Sequence, residues 1–208
     1  MPLVKTPAYI PLLLNNYTWQ VHTQHTEVFL TFDDGPTPGI TEWVLAQLRE
    51  HGALATFFVV GKNVLKYPEL VRKIVRQGHT IGNHTFTHRN GWRESPAQYL
   101  KEIRKTDYAI RSTVGFKPRL FRPPYGKINF MVSPMIRRTH EVVMWDVLAR
   151  DFDPNLSAAA CIDNVLDNYL PGSTIVLHDS RKCADKLKVI LPALLSHFVS
   201  MGIQLSAL

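Results

Sequence analysis

Several short segments carry residue types able to act on a substrate. Thr31-Phe32-Asp33-Asp34-Gly35-Pro36 sets two carboxylates side by side after an apolar run. Adjacent carboxylates repel, so an unpaired couple would raise one pKa, and a divalent cation removes that penalty for the carboxylate it binds. Gly35-Pro36 turns the chain just beyond, which lets both side chains face one rim, although Asp-Gly is also a common turn dipeptide. His84 and His88 stand four apart, a spacing that lets two imidazoles share one face of a helical turn and chelate one first-row metal ion. With a nearby carboxylate they make a site of two histidines and one acid, with positions open for water and substrate.

Arg122-Pro123-Pro124-Tyr125-Gly126 is a stiff segment with a glycine that permits a tight turn. Such a loop can aim a backbone N–H at an oxyanion while Arg122 orients a carboxylate; it also suits a plain structural turn. Leu177-His178-Asp179 ends another apolar run. A histidine there can protonate a departing amine if a carboxylate holds its other ring nitrogen, and Asp151 is the candidate partner. Trp145-Asp146 could add packing or a polar group to the rim. His22, His25, His51, His79, His140 and His197 lack comparable company and read as ordinary histidines.

Alternating elements must bring these residues together. Strand-like runs are read at Val28 to Phe32, Leu54 to Val60, His79 to Gly82, Leu120-Phe121, Val142 to Trp145, Thr174 to Leu177 and Ile203 to Leu205. Helical periodicity is read from Ile40 to a stop at Gly52, over Tyr67 to Gln77, from Ser95-Pro96 past Ile110, over Asn129 to Thr139, over Ser157 to Tyr169 and over Ala184 to Ser200. Seven strands separated mostly by helices imply a parallel α/β sheet, and an open doubly wound sheet and a closed barrel both fit. In a barrel the reactive residues all follow strands, so they would converge on the rim of C-terminal strand ends.

Together these segments resemble the polysaccharide deacetylase family, the NodB-homology or carbohydrate esterase family 4 domain. The likeness runs from about Glu27 to the end of the chain and covers five motifs in order, with Thr31 to Pro36 matching the first letter for letter. The resemblance implies a distorted (β/α)7-type barrel in a single domain, residues 27–208, preceded by an N-terminal arm, residues 1–26. It implies a metal-dependent hydrolase that removes N-acetyl groups from amino sugars. By resemblance Asp33 is the general base, oriented by Arg122, and Asp34, His84 and His88 hold one divalent ion, zinc. His178 is the general acid, tuned by Asp151. Pro124 and Tyr125 serve the oxyanion, and Leu177 and Phe152 line the substrate pocket. Phe152 departs from the family pattern of Asp-Trp; it keeps an apolar wall and loses the indole N–H. The same apparatus could cleave another small amide, a formamide or an imide. An inactive barrel that binds glycan or nucleic acid would have lost one of these groups, and all are present.

Composition agrees with one globular domain: 208 residues, 45% hydrophobic and 20% charged. The formal charge of +7 suits an anionic partner, but the basic residues are scattered without a Lys/Arg-rich run, so no nucleic-acid partner is expected. No apolar run approaches the ~20 residues of a membrane span, and no signal-peptide pattern is seen, so a cytoplasmic protein is expected. Cys161 and Cys183 read as two reduced thiols.

Overall fold

The computed structural model describes residues 3–208. Eight strands occur in it: β1 (Glu27–Asp33), β2 (Thr56–Val59), β3 (Thr80–Asn83), β4 (Leu120–Phe121), β5 (Glu141–Val142), β6 (Val147–Leu148), β7 (Thr174–His178) and β8 (Gln204–Leu205). Eight helices accompany them: α1 (Tyr9–Leu13), α2 (Ile40–Glu50), α3 (Gly61–Lys66), α4 (Pro68–Arg76), α5 (Pro96–Val114), α6 (Ser133–Arg137), α7 (Ala158–Leu166) and α8 (Ala184–Ser200). All strand pairs are parallel, in the order β5-β4-β3-β2-β1-β7-β6, with β8 against the start of β1. The sheet curls into a half-barrel with helices outside. Among the described residues no helix is long and apolar enough to cross a membrane.

Alternation along the strands divides inside from outside. Ile175 and Leu177 of β7 join Leu30 and Phe32 of β1 in the main core, beneath Leu45 and Leu48 of α2, Ile74 of α4 and Leu187, Leu191 and Leu194 of α8. Each such side chain contributes about 1.5–3 kcal/mol by leaving water. The helix α5 begins as its sequence signals: the Ser95 hydroxyl accepts the Gln98 N–H at 3.3 Å, Pro96 opens the first turn, and Gly115 ends it at φ 87°. Its inner face also buries Glu102, Thr106 and Asp107, and the first and last of these reach toward loops that carry reactive residues.

The curl is not closed by strand pairing, because β5 and β6 stand at opposite ends of the order. The single strand expected over Val142 to Trp145 is therefore absent. Its backbone is used differently: Thr18 N–H donates to Val142 O at 2.9 Å, Met144 N–H donates to Thr18 O at 2.7 Å, and the Arg122 guanidinium takes the carbonyls of Val143 and Met144. The arm continues across the seam, with Leu148 N–H donating to Val4 O at 2.8 Å and Thr6 N–H to Asp146 O at 2.9 Å. Residues 3–21 thus lie against both edges, with Trp19 buried and the Tyr17 hydroxyl 2.8 Å from Ser133 Oγ.

Other expectations need smaller corrections. The helix over Asn129 to Thr139 shrinks to α6, since the Asn129 side chain accepts the Met131 N–H and donates to Glu94 O. The stretch before Tyr67 adds α3, whose fold signal was masked by its fusion to α4 at Tyr67-Pro68.

Candidate active site

The C-terminal ends of β1, β3, β4, β6 and β7 surround one cavity of about 450 Å³. Asp33, Asp34, His84, His88, Tyr125, Lys127, Trp145, Leu148, Phe152, Val176, His178 and Lys182 line it. Five non-glycine residues of the structure have positive φ, and all belong to the loops around it: Asp34 (78°), Thr85 (61°), His88 (57°), Tyr125 (61°) and Arg150 (62°). Such conformations cost of order 1–3 kcal/mol each and persist where the surroundings over-determine them.

Asp33 ends β1 and is nearly buried. Arg122 reaches it from β4: Nη1 donates to Asp33 Oδ1 at 2.9 Å and to Thr31 Oγ1 at 2.6 Å, while Nη2 donates to Met144 O at 2.7 Å. The guanidinium also lies 4.1 Å from the Phe58 ring centroid. It is wholly buried, and burial pulls its pKa down while the Asp33 charge offsets that. A planar fork with five donors suits this set of partners; an ammonium would not span it.

Asp34 turns away from the strand at a left-handed φ, and Asn63 Nδ2 holds its carbonyl at 2.9 Å. Gly35 follows because a Cβ there would fall on the Asp179 carboxylate. Asp179 does not face the cavity; it is buried behind this turn, where the Thr41 hydroxyl donates to it. Burial, helped by the charges of Asp34 and Asp33, pushes its pKa up to about 7.

His84 and His88 do meet, but through an irregular loop rather than the expected helical turn. Asn83 Oδ1 accepts the Thr85 N–H at 2.8 Å, and Glu102 of α5 accepts both the Thr87 N–H and hydroxyl. These ties fix the left-handed steps at Thr85 and His88 and bring the ring centroids to 5.0 Å. His84 Nδ1 lies 2.8 Å from Arg122 O. A carbonyl only accepts, so Nδ1 carries the proton and the Nε2 lone pair faces the cavity. Burial pushes the His84 pKa down to about 4, so the ring is neutral, as a metal ligand must be. Asp34 Oδ1 stands 3.1 Å from His88 Nε2 and 3.9 Å from His84 Nε2. Burial disfavours the Asp34 charge, but the His88 hydrogen bond and the neighbouring imidazoles outweigh it and hold the carboxyl well below the usual range.

These three residues fit a bound ion. One ligand atom from each lies within 4.8 Å of the others. Metal–ligand bonds near 2.0–2.2 Å require ligand atoms about 3–4 Å apart. The Arg122 carbonyl behind His84 is the outer hydrogen bond that orients a ligating imidazole.

Across the cavity, Asp151 Oδ1 lies 2.7 Å from His178 Nδ1, and Oδ2 accepts the His178 N–H at 2.8 Å. Burial alone would lower the His178 pKa, but the Asp151 charge and hydrogen bond, aided by Asp34 and Asp33, raise it to about 9. The Phe152 ring stands edge-on to His178 at 5.3 Å. Cys183 is buried beside this pair, and burial pushes its thiol up to about 12, so it is inert; Cys161 is also buried and free.

Not every sequence-read residue reaches the cavity. Leu177 points into the main core, because His178 and Val176 occupy the inward positions of β7; Val176 and Leu148 are the apolar lining there. Pro124 is buried within the 3-10 turn Pro124–Gly126 and shapes it, while the Tyr125 ring, 61% exposed, stands 4.7 Å from His88. Asp146 leaves the rim altogether: Lys5 Nζ donates to it at 2.6 Å and the Ser173 hydroxyl donates beside it. Lys127, Leu148, Val176 and Lys182 escaped the sequence reading, since neither a lone lysine in a loop nor one aliphatic residue within an apolar strand carries a pattern.

Known proteins are similar to this chain in sequence and fold. A family model described as polysaccharide deacetylase matches residues 20–139, which include Asp33, Asp34, His84, His88 and Arg122. A peptidoglycan-N-acetylglucosamine deacetylase of Bacillus cereus is 37% identical over 174 residues, covering 81% of this chain and 63% of its own length. A chitooligosaccharide deacetylase of Azorhizobium caulinodans is 36% identical over 163 residues, covering 77% of both chains. The crystal structure of the Bc1960 peptidoglycan N-acetylglucosamine deacetylase superposes with a TM-score of 0.82 at 34% identity, covering 93% of this chain and 91% of that one.

Proposed function

The chain belongs to the polysaccharide deacetylase family, and from that membership we propose that it hydrolyses N-acetyl groups on amino sugars of an oligo- or polysaccharide, with one zinc ion held by Asp34, His84 and His88. The observation that carries this reading is the pairing of two opposed devices across one cavity: Asp33 locked by Arg122 on one side, and His178 locked by Asp151 on the other. Residues 27–208 form the catalytic domain, with 1–26 as its arm.

Two imidazoles and one carboxylate suit zinc among first-row ions. Bound there, zinc would supply Lewis-acid polarisation of the acetyl carbonyl and acidify a water. Asp33 accepts the proton of the attacking water as its oxygen bonds to the carbonyl carbon. Arg122 holds the receiving carboxylate in one orientation. The Tyr125 backbone N–H donates to the developing oxyanion, which is strongest where water is excluded. His178, kept protonated by Asp151, gives its proton to the nitrogen as the C–N bond breaks, because an amide anion is a very poor leaving group. Acetate and a free amine result. Leu148, Val176 and Phe152 give the acetyl group an apolar seat.

Acetate release from tetra-N-acetylchitotetraose and from peptidoglycan glycan strands tests this. Zinc-loaded protein is expected to release acetate from at least one, a chelator to abolish release, and added zinc to restore it. Absence of acetate from both, with zinc bound and the protein folded, would overturn the proposal.

A further inference from the structure

The end of the half-barrel opposite the active site holds a groove that the reaction does not use. It has a volume of about 840 Å³ and opens at the N-terminal ends of β3, β4 and β5. Small-molecule sites ordinarily span roughly 300–1,000 Å³. Four cations line this one, Lys117, Arg119, Arg137 and Arg138, and Ile81, Phe116 and Leu120 give it an apolar wall.

His79 also lines the groove, yet only 6% of its surface is exposed. Its ring is fixed: Phe57 stands edge-on at 5.5 Å, and Nδ1 accepts the Ala55 N–H at 3.3 Å. Burial lowers its pKa to about 4, so the ring is neutral and its one proton sits on Nε2. Among the described residues no acceptor takes that N–H. A buried donor without a partner in the chain is free for a ligand that enters the groove.

The cations are unevenly committed. Lys117 Nζ stands 3.4 Å from Asp107 Oδ2, and Arg137 Nη1 donates to Asn16 Oδ1 at 2.9 Å. Arg119 and Arg138 are exposed and join no ion pair among the described residues. Two acids border the groove, Glu141 and the carboxylate of Leu208. The Thr18 hydroxyl donates to Glu141 at 2.6 Å, and neither acid pairs with a lining cation. A solvated arginine is the ordinary reading of each alone. Two unpaired guanidinium groups around a fixed neutral N–H make a set of donors that approach from different directions. A carboxylate accepts in one plane, whereas the oxygens of a phosphate point tetrahedrally and can meet all three.

We propose that this groove is a second ligand site, separate from the active site, in which Arg119, Arg138 and His79 hold the phosphate of a small phosphate ester while Phe116 and Leu120 seat its organic part. The site stands whether or not the chain deacetylates sugars.

Phenyl phosphate, inorganic phosphate and benzoate separate the contributions when titrated into zinc-loaded protein by calorimetry at low salt. Phenyl phosphate is expected to bind with a Kd of about 1 mM or lower, about tenfold tighter than either of the others. Molar NaCl should weaken it strongly, since the Debye length there is about 3 Å. Arg119→Gln and Arg138→Gln should each cost about tenfold, and the double variant should lose measurable binding while keeping the parent's melting temperature without ligand. In the unaltered protein the His79 ring resonances should shift on titration, which needs no variant. Absence of binding, equal affinity for phenyl phosphate and benzoate, or unmoved His79 resonances would overturn the proposal. Binding that survives the double variant, or that a chelator abolishes, would place the phosphate on the zinc instead and overturn it too.

Discussion

Asp151 grips His178 twice, with one oxygen on ring Nδ1 at 2.7 Å and the other on the backbone N–H at 2.8 Å. The double hold fixes both the tilt of the ring and its protonation, and the His178 pKa stands at about 9 against its ordinary 6.5. A general acid works only while protonated, so turnover should fall as pH rises through about 9. In Asp151→Asn the ring loses its negative partner and its pKa falls. The alkaline limb should then move down by roughly one unit or more, with a lower plateau. A pH–rate profile reads this; an unmoved limb in the variant would remove His178 from the role of acid. Stability follows the same sign. A raised folded-state pKa adds stability that is complete below the unfolded value of 6.5 and is lost as pH climbs toward about 9.

Asp33→Asn should separate binding from turnover. The amide keeps the shape of the side chain and leaves Asp34, His84 and His88 in place, so zinc content should stay at one ion per chain. Loss of the base should lower kcat by about 10²–10⁴-fold. Elemental analysis beside acetate release checks both halves, and near-full activity in the loaded variant would exclude Asp33 as base.

His84→Ala should weaken zinc binding, because it deletes a buried neutral imidazole already oriented by Arg122 O. Chelation of the unaltered protein should lower its melting temperature, since an ion that binds only the folded chain stabilises it by mass action. Unchanged zinc content in the variant would count against the assigned ligand set.

Arg122→Met should destabilise the fold as well as slow it. The substitution strands Asp33 without its cation and removes the donors to the Val143 and Met144 carbonyls. Breaking a buried pair from one side costs about 3–5 kcal/mol. Arg122→Lys should recover little, because a single ammonium cannot reach three directions at once. Denaturant midpoints for the two variants would show it; a lysine variant as stable as the parent would contradict the need for the fork.

Much of the site was legible because its reactive residues end strands, and short apolar runs followed by polar clusters mark those ends. Asp33, His178 and Arg122 were found this way. The α8 boundaries and the Ser95 cap were legible from periodicity and capping chemistry. What escaped depends on partners distant in the chain. The break between β5 and β6 arises because Arg122 and the arm compete for the carbonyls and N–H groups of 142–148. Leu177 and Val176 differ by one step of strand alternation, which a run of apolar residues cannot reveal. Asp146 sits in a promising place by spacing, yet its carboxylate faces Lys5, 141 positions away.

The seam bridged by residues 3–21 gives the arm a part in the sheet itself. Its rungs on Val142, Met144 and Leu148 are backbone bonds that any copy of the same arm could supply. Exchange of arms between two molecules would preserve every one of these bonds, which is the geometry that domain swapping requires. A chain cut back past Thr18 would instead present two bare strand edges and stick to its neighbours.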